Sequence, residues 1–173
     1  IKSDAYKFFG KGSIAGIPVP VIILIIVFLL AHYILTQTSY GRSVYAVGGN
    51  REAARLSGIR VKTSEFLVYT LNGLMCGMAG LILTARLGSA QSTSGTGIEM
   101  DAIAAVILGG TSLSGGVGFV LPTVVGAMIM GIIDNILTLM NVNPHATNIV
   151  KGAVILIAVL VDKKVKDLSA KAE

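Results

Sequence analysis

The sequence predicts an all-α fold: a polytopic bundle of about five transmembrane helices, with one short helix in a cytoplasmic loop. Of its 173 residues 53% are hydrophobic and only 13% are charged, whereas soluble domains carry about 25% charged residues. Long apolar runs alternate with short polar segments, which excludes a disordered chain. The net charge of +5 includes no long basic tract, so no nucleic-acid partner is expected. The lone Cys76 allows no internal disulfide.

Five apolar segments account for the predicted crossings. A membrane-spanning helix needs about 20 residues, and Ile17–Leu35 and Phe66–Ala85 have that length. Two further spans are predicted at Val117–Met140 and Pro144–Val161. Ile98–Leu113 is shorter, so it either just spans the membrane or re-enters on the same side.

The distribution of Lys and Arg predicts the orientation. Residues 36–65 and the tail 162–173 carry many of these residues, whereas residues 88–101 and 141–148 carry none. By the positive-inside rule the first two segments are cytoplasmic and the last two external. Lys2, Lys7 and Lys11 precede the first span on its predicted outer side, against this rule.

A short helix is predicted inside the cytoplasmic loop. Asn50 is a suitable N-cap, residues 51–57 favour helix, and Gly58 is placed to end it. Two turns are too short to be stable alone in water, so the helix needs a partner surface. One interpretation is a mechanical handle on which another protein acts, with Ala53, Ala54 and Leu56 as contacts. The other is an ordinary basic loop on anionic headgroups.

Three segments carry a family resemblance. REAARLSGI, residues 51–59, resembles the EAA loop of permease subunits in bacterial ABC importers, with Glu52, Ala53, Ala54 and Gly58 at the matching positions. GRSVYAVGGNREAARLSGI, GIEMDAIAAVILGGTSLSGGVG and IVKGAVILIAVLVD resemble the inner-membrane permeases for ribose, xylose, arabinose and galactosides. The resemblance runs from about residue 18 to residue 162 and corresponds to the C-terminal half of such a permease. Residues 1–173 would then form one transmembrane permease domain, with residues 36–65 as its coupling loop.

The resemblance implies a transport function without chemistry of its own. The chain would belong to an ATP-driven importer that carries a monosaccharide (ribose, xylose or galactose-like) across the bacterial inner membrane. Its expected partners are a cytoplasmic ABC ATPase, a periplasmic sugar-binding protein, a second permease copy and membrane lipid. ATP would be bound by the ATPase, so no cofactor, metal or enzymatic activity is expected. The predicted ATPase-coupling residues are Asn50, Glu52, Ala53, Ala54, Arg55, Leu56 and Gly58.

Several polar and small residues inside the spans suggest further roles. A carboxylate within a span costs about 3 kcal/mol, so Asp134 is predicted to line the translocation path or to contact another helix, or else to lie at the interface. Asn72 and Asn135 are likewise predicted to line the translocation path or to contact another helix. Gly73 and Gly77 form a GxxxG pattern, which allows a neighbouring helix to approach closely.

Three other charged residues have simpler predicted roles. Glu99 and Asp101 lie near a helix N-terminus, where negative charge is favourable, and they are predicted to cap that helix or to contact a periplasmic partner. Lys151 and Arg86 are predicted to extend towards the interface.

The LSGG at Leu113–Gly116 matches the core of the ABC ATPase signature, but the chain has no phosphate-binding loop. A tight glycine-rich turn is predicted there instead. Two other functions stay open: an ABC permease for another small solute such as branched-chain amino acids, and an ion-coupled secondary transporter that uses Asp134.

Overall fold

The fold is all-α. A computed structural model describes residues 4–91 and 93–169, which contain eight helices and one small β-hairpin. Lys2 and the end of the charged tail lie outside the described residues. The chain divides into two compact units, Ile1–Thr96 and Gly97–Glu173. The elements of unit 1 are α1 (Asp4–Lys11), β1 (Ser13–Ile14), β2 (Ile17–Pro18), α2 (Val19–Gln37), α3 (Ser39–Gly49), α4 (Arg51–Leu56) and α5 (Val61–Leu87). Those of unit 2 are α6 (Ile98–Leu108), α7 (Val120–Leu139) and α8 (Pro144–Ser169).

Three of the described helices, α2, α5 and α7, are long and apolar enough to cross a membrane. They confirm the predicted polytopic helical class. With 11 residues, α6 is about 16 Å long, roughly half the ~30 Å hydrocarbon core. The apolar part of α8 is the shorter stretch Ala146–Leu160. The count of five crossings therefore stays a prediction.

In unit 1, short elements join the two long helices. At one end α1 packs against both α5 and α2, and the Val19 N–H donates to the Gly12 carbonyl at 2.9 Å. Gly41 in α3 lies directly against the backbone of Leu35 at the end of α2, and α3 also packs on α5. Along the apolar stretches of α2 and α5 almost no residue is fully buried.

Unit 2 is built on a close antiparallel pair of helices. A Cβ added to Gly126 in α7 would collide with the Ala105 carbonyl of α6, and one added to Gly109 would lie 2.5 Å from Thr123 Cα. Small residues at these two crossings let the backbones touch, as membrane helix pairs require. The core of this unit consists of buried Ala104, Ala105 and Met130, with Leu108, Ile133, Val154 and Ile155 packed around them.

A glycine-rich turn connects α6 to α7, as the sequence predicts for Leu113–Gly116. Gly115 and Gly116 have φ of +87° and +76°, values that favour glycine. The Ser112 N–H donates to the Val117 carbonyl at 3.0 Å and closes the turn.

Candidate functional site

The short helix α4 is closed at both ends by the residues the sequence indicates. The Ala53 N–H donates to Asn50 Oδ1 at 2.9 Å, which satisfies one of the free donors of the first turn. At the other end Gly58 has φ of +83°. Its N–H donates to the Arg55 carbonyl at 3.0 Å, and the Ile59 N–H donates to the Ala54 carbonyl at 3.1 Å. This is the Schellman pattern, so the helix has a defined start and stop.

A bidentate ion pair fastens α4 to the long helix that follows it. Arg51 Nε lies 2.7 Å from Glu65 Oε1, and Arg51 Nη2 lies 3.0 Å from Glu65 Oε2. The hydrogen bonds to Glu65, and then its charge, raise the pKa of Arg51. A second pair, Glu52 with Arg55 at 3.1 Å, lies along the surface of α4 itself. The planar two-bond contact fixes direction as well as distance, so it favours one orientation of α4 relative to the start of α5.

The predicted coupling residues divide into an inward and an outward group. Ala54 is 4% exposed and packs within the chain, so it holds α4 against the rest of unit 1 and is not available to a partner. Leu56 is 82% exposed. Exposed residues of α4 and its caps, open to another molecule, are Asn50, Glu52, Ala53, Arg55 and Gly58. A coupling role for these residues stays a prediction.

In unit 2, three charged residues from three helices meet in an ionic cluster. Lys151 Nζ in α8 lies 2.6 Å from Asp101 Oδ1 in α6 and 2.9 Å from Asp134 Oδ1 in α7. The Lys151 side chain is only 13% exposed. One ammonium between two carboxylates balances one of their two negative charges and contacts both, as ionisable residues in apolar helices usually do. Asp134 therefore contacts α8, and a role for it in the translocation path stays a prediction.

This ionic cluster overturns two predictions. Lys151 does not extend towards the interface, because it turns inward between the two carboxylates. Asp101 does not cap α6: it pairs with Lys151, and Glu99 alone acts at this helix start by accepting the Gly97 N–H at 3.1 Å. The signal in the sequence was the presence of both signs of charge in apolar segments, since such residues usually pair with one another.

The other predicted residues are not brought together with this ionic cluster. Asn135 faces outward from α7 in a shallow groove beside Gly131 and Ile132. Asn72 is exposed on α5. An added Cβ at Gly73 or Gly77 would meet nothing within 4 Å, so their role in helix packing stays a prediction. Among the described residues, no group of His, Cys, Asp or Glu side chains could hold a metal ion.

Curated relatives of this chain are sugar permeases. The ribose import permease protein RbsC of Escherichia coli (strain K12) is 53% identical over 162 residues, which are 94% of this chain and 50% of the relative. RbsC of Bacillus subtilis (strain 168) is 49% identical over 159 residues, 92% of this chain and 49% of the relative. The xylose transport system permease protein XylH of Escherichia coli (strain K12) is 48% identical over 151 residues, 87% of this chain and 38% of the relative.

This chain thus spans about half, or less, of the length of these relatives. No solved structure matches it. Its membrane-capable helices and its import-permease relatives identify a multi-pass protein of the bacterial inner (cell) membrane. The family described as "Branched-chain amino acid transport system / permease component" matches residues 2–159. Because this match covers most of the chain, the protein belongs to that permease family.

Proposed function

We propose that this protein is the membrane permease subunit of an ATP-driven importer that carries a monosaccharide such as ribose or xylose. Relatives named as ribose and xylose permeases support the substrate class. The observation that carries the coupling mechanism is α4, which is capped at both ends and exposes Leu56 between two membrane-capable helices. A separate ABC ATPase would bind there, a periplasmic protein would deliver the sugar, and two permease copies would enclose the path. The subunit would carry out no catalysis and need no cofactor of its own.

The contacts of α4 suggest how motion would reach the membrane. An ATPase that binds Leu56 would push on α4, whose caps oppose unwinding at both ends. The Arg51–Glu65 pair would then pass the displacement to the first turn of α5. Since α5 is one rigid helix of 27 residues, its far end would move as well. Alternating access would follow from this tilt.

The test uses the full-length permease with its ATPase and binding protein in proteoliposomes. Leu56→Ala removes the exposed apolar contact and is expected to reduce copurified ATPase and ATP-driven ribose uptake at least about tenfold, since a lost contact of ~1.4 kcal/mol is a factor of ten. Leu139→Ala is the matched control, because Leu139 is 79% exposed at the end of α7. Unchanged ATPase recovery and uptake in Leu56→Ala would contradict the coupling role.

Arg51→Ala separates binding from transmission. It leaves Leu56 in place but removes the link to Glu65. We expect ATPase recovery to persist while uptake per ATP hydrolysed falls. Equal loss of recovery and uptake would show that Arg51 serves docking and not transmission.

A second candidate function is import of branched-chain amino acids, which the family's description favours. Uptake of labelled leucine against labelled ribose by the same proteoliposomes distinguishes the two substrate classes. Ion-coupled transport through Asp134 is less well supported, because this carboxylate is already paired with Lys151. Uptake that requires a proton gradient instead of ATP, and is lost in Asp134→Asn, would establish that alternative.

A further inference from the structure

The first helix and the hairpin after it are held at one end of unit 1. Gly10 is buried against the backbone of Ala85, so close that a Cβ there would collide with it. The Tyr6 hydroxyl is hydrogen-bonded to Thr84 Oγ1. These contacts fix α1 beside the last turn of α5.

The same segment also lies at the start of α2. Ile14 pairs with Ile17 across a two-residue turn, in which Ala15 and Gly16 both have positive φ, +53° and +83°. Such turns belong to tight hairpins. Because β2 ends at Pro18 and α2 begins at Val19, the hairpin directly precedes the N-terminus of a membrane-capable helix.

The helix α1 and the hairpin present large apolar side chains that the described residues cover only in part. Phe8, Phe9, Ile14 and Ile17 are each between 44% and 51% exposed. The helix α1 is strongly amphipathic, and one side of it packs on α5. Four large apolar residues at about half exposure within ten positions form a surface that water solvates poorly.

Two cations border this surface. Lys11 is exposed in the last turn of α1, and Arg86 is exposed in the last turn of α5. The backbone of Arg86 lies against Gly10, which places the base of its side chain next to α1. Phenylalanine with Lys or Arg on an amphipathic helix is the composition of segments that lie in a bilayer interface.

We propose that α1 and the hairpin form an interfacial anchor, with Phe8, Phe9, Ile14 and Ile17 in the acyl boundary of the bilayer and Lys11 and Arg86 at lipid phosphates. Lipid fits better than a soluble partner because of where the anchor would lie relative to the bilayer. The anchor is fixed to the ends of two membrane-capable helices, and one residue separates Ile17 from α2. A soluble protein would have to pass the headgroups to reach these side chains, whereas apolar side chains at this level lie several ångströms into the headgroup boundary without moving.

Photocrosslinking of the full-length protein in native membranes tests this inference. The photoreactive amino acid p-benzoylphenylalanine replaces Phe8 in one variant and Phe9 in another, a change that keeps the aromatic ring. After irradiation, intact-protein mass spectrometry is expected to show phospholipid adducts at both positions. Leu56 is the control site, because it is 82% exposed on α4, where the proposed ATPase would cover it; few or no lipid adducts are expected there.

Two outcomes would overturn the proposal. A crosslinked protein band without lipid adducts at Phe8 and Phe9 would mean that a protein covers this surface. Irradiation that yields neither product would mean that the surface faces water. If a variant in α1 fails to accumulate, Ile14 provides an additional labelling site on the hairpin. There too, lipid adducts would support the proposal, whereas a protein crosslink or no product would overturn it.

Discussion

Replacing Lys151 by methionine should destabilise the protein more than replacing either aspartate by asparagine. Methionine keeps the length and the apolar stem of the side chain but leaves Asp101 and Asp134 without their shared cation. Two carboxylates that each lie within 3 Å of the same Nζ would then repel one another in a poorly solvated place. By contrast, Asp101→Asn or Asp134→Asn leaves one balanced pair.

The magnitudes follow from the partial exposure of this ionic cluster. Removing one partner of a buried ion pair costs about 3–5 kcal/mol. The side chains here are 13% to 34% exposed, so we expect ~3 kcal/mol for Lys151→Met, at the low end of that range. For each single asparagine variant we expect about 1 kcal/mol, because only one of the two ion-pair contacts of Lys151 is lost.

The assay is thermal unfolding of the detergent-solubilised full-length permease, followed by the loss of its monodisperse gel-filtration peak. With about 2–4 °C per kcal/mol, Lys151→Met should lower the midpoint by roughly 6–12 °C and each asparagine variant by ~2–4 °C. Adding both asparagines to Lys151→Met should recover much of the loss, since no unpaired charge remains. Asparagine variants as unstable as Lys151→Met would refute the charge reasoning.

Three further predictions follow from close contacts and open space, each with its own control. Gly126→Ala should cost ~1–3 kcal/mol in the same unfolding assay because its Cβ would collide with Ala105, whereas Gly131→Ala on the same helix meets nothing within 4 Å and should be neutral or slightly stabilising; equal effects would contradict the close crossing. Asn50→Ala should weaken the α4 cap by about 1 kcal/mol and increase amide exchange in that helix, and Asn50→Asp should retain protection; the reasoning fails if both variants exchange alike. Gly73→Leu should disrupt copurification of differently tagged permease copies if α5 packs on a partner helix through this face, while stability of the single chain is retained because a Cβ at this position meets none of the described residues within 4 Å; undiminished copurification would remove Gly73 from that interface.

The sequence was sufficient for features that depend on neighbours within a few residues. Both caps of α4 were predictable, because Asn50 and Gly58 interact with groups only three or four positions away. The long apolar helices were predictable for a similar reason, since length and composition alone select them.

Features that depend on how helices are rotated about their axes were not predictable. The ionic cluster joins residues 101, 134 and 151, and no local pattern specifies which faces of α6, α7 and α8 meet. The end of α6 at Leu108 also depends on packing, since Gly109 lies against the backbone of Thr123. The hairpin, by contrast, has a local signal, a two-residue turn flanked by Ile14 and Ile17.

The position of Lys151 has a consequence for biogenesis. A lysine near the centre of an apolar segment opposes insertion by the translocon by up to about 2.5–3.5 kcal/mol, and the apolar stretch of α8 is short, Ala146–Leu160. Both of its counterions lie on helices that are synthesised earlier, α6 and α7. When α8 leaves the ribosome, Asp101 and Asp134 have already been made, so the order of the helices along the chain provides both counterions before the lysine that they pair with.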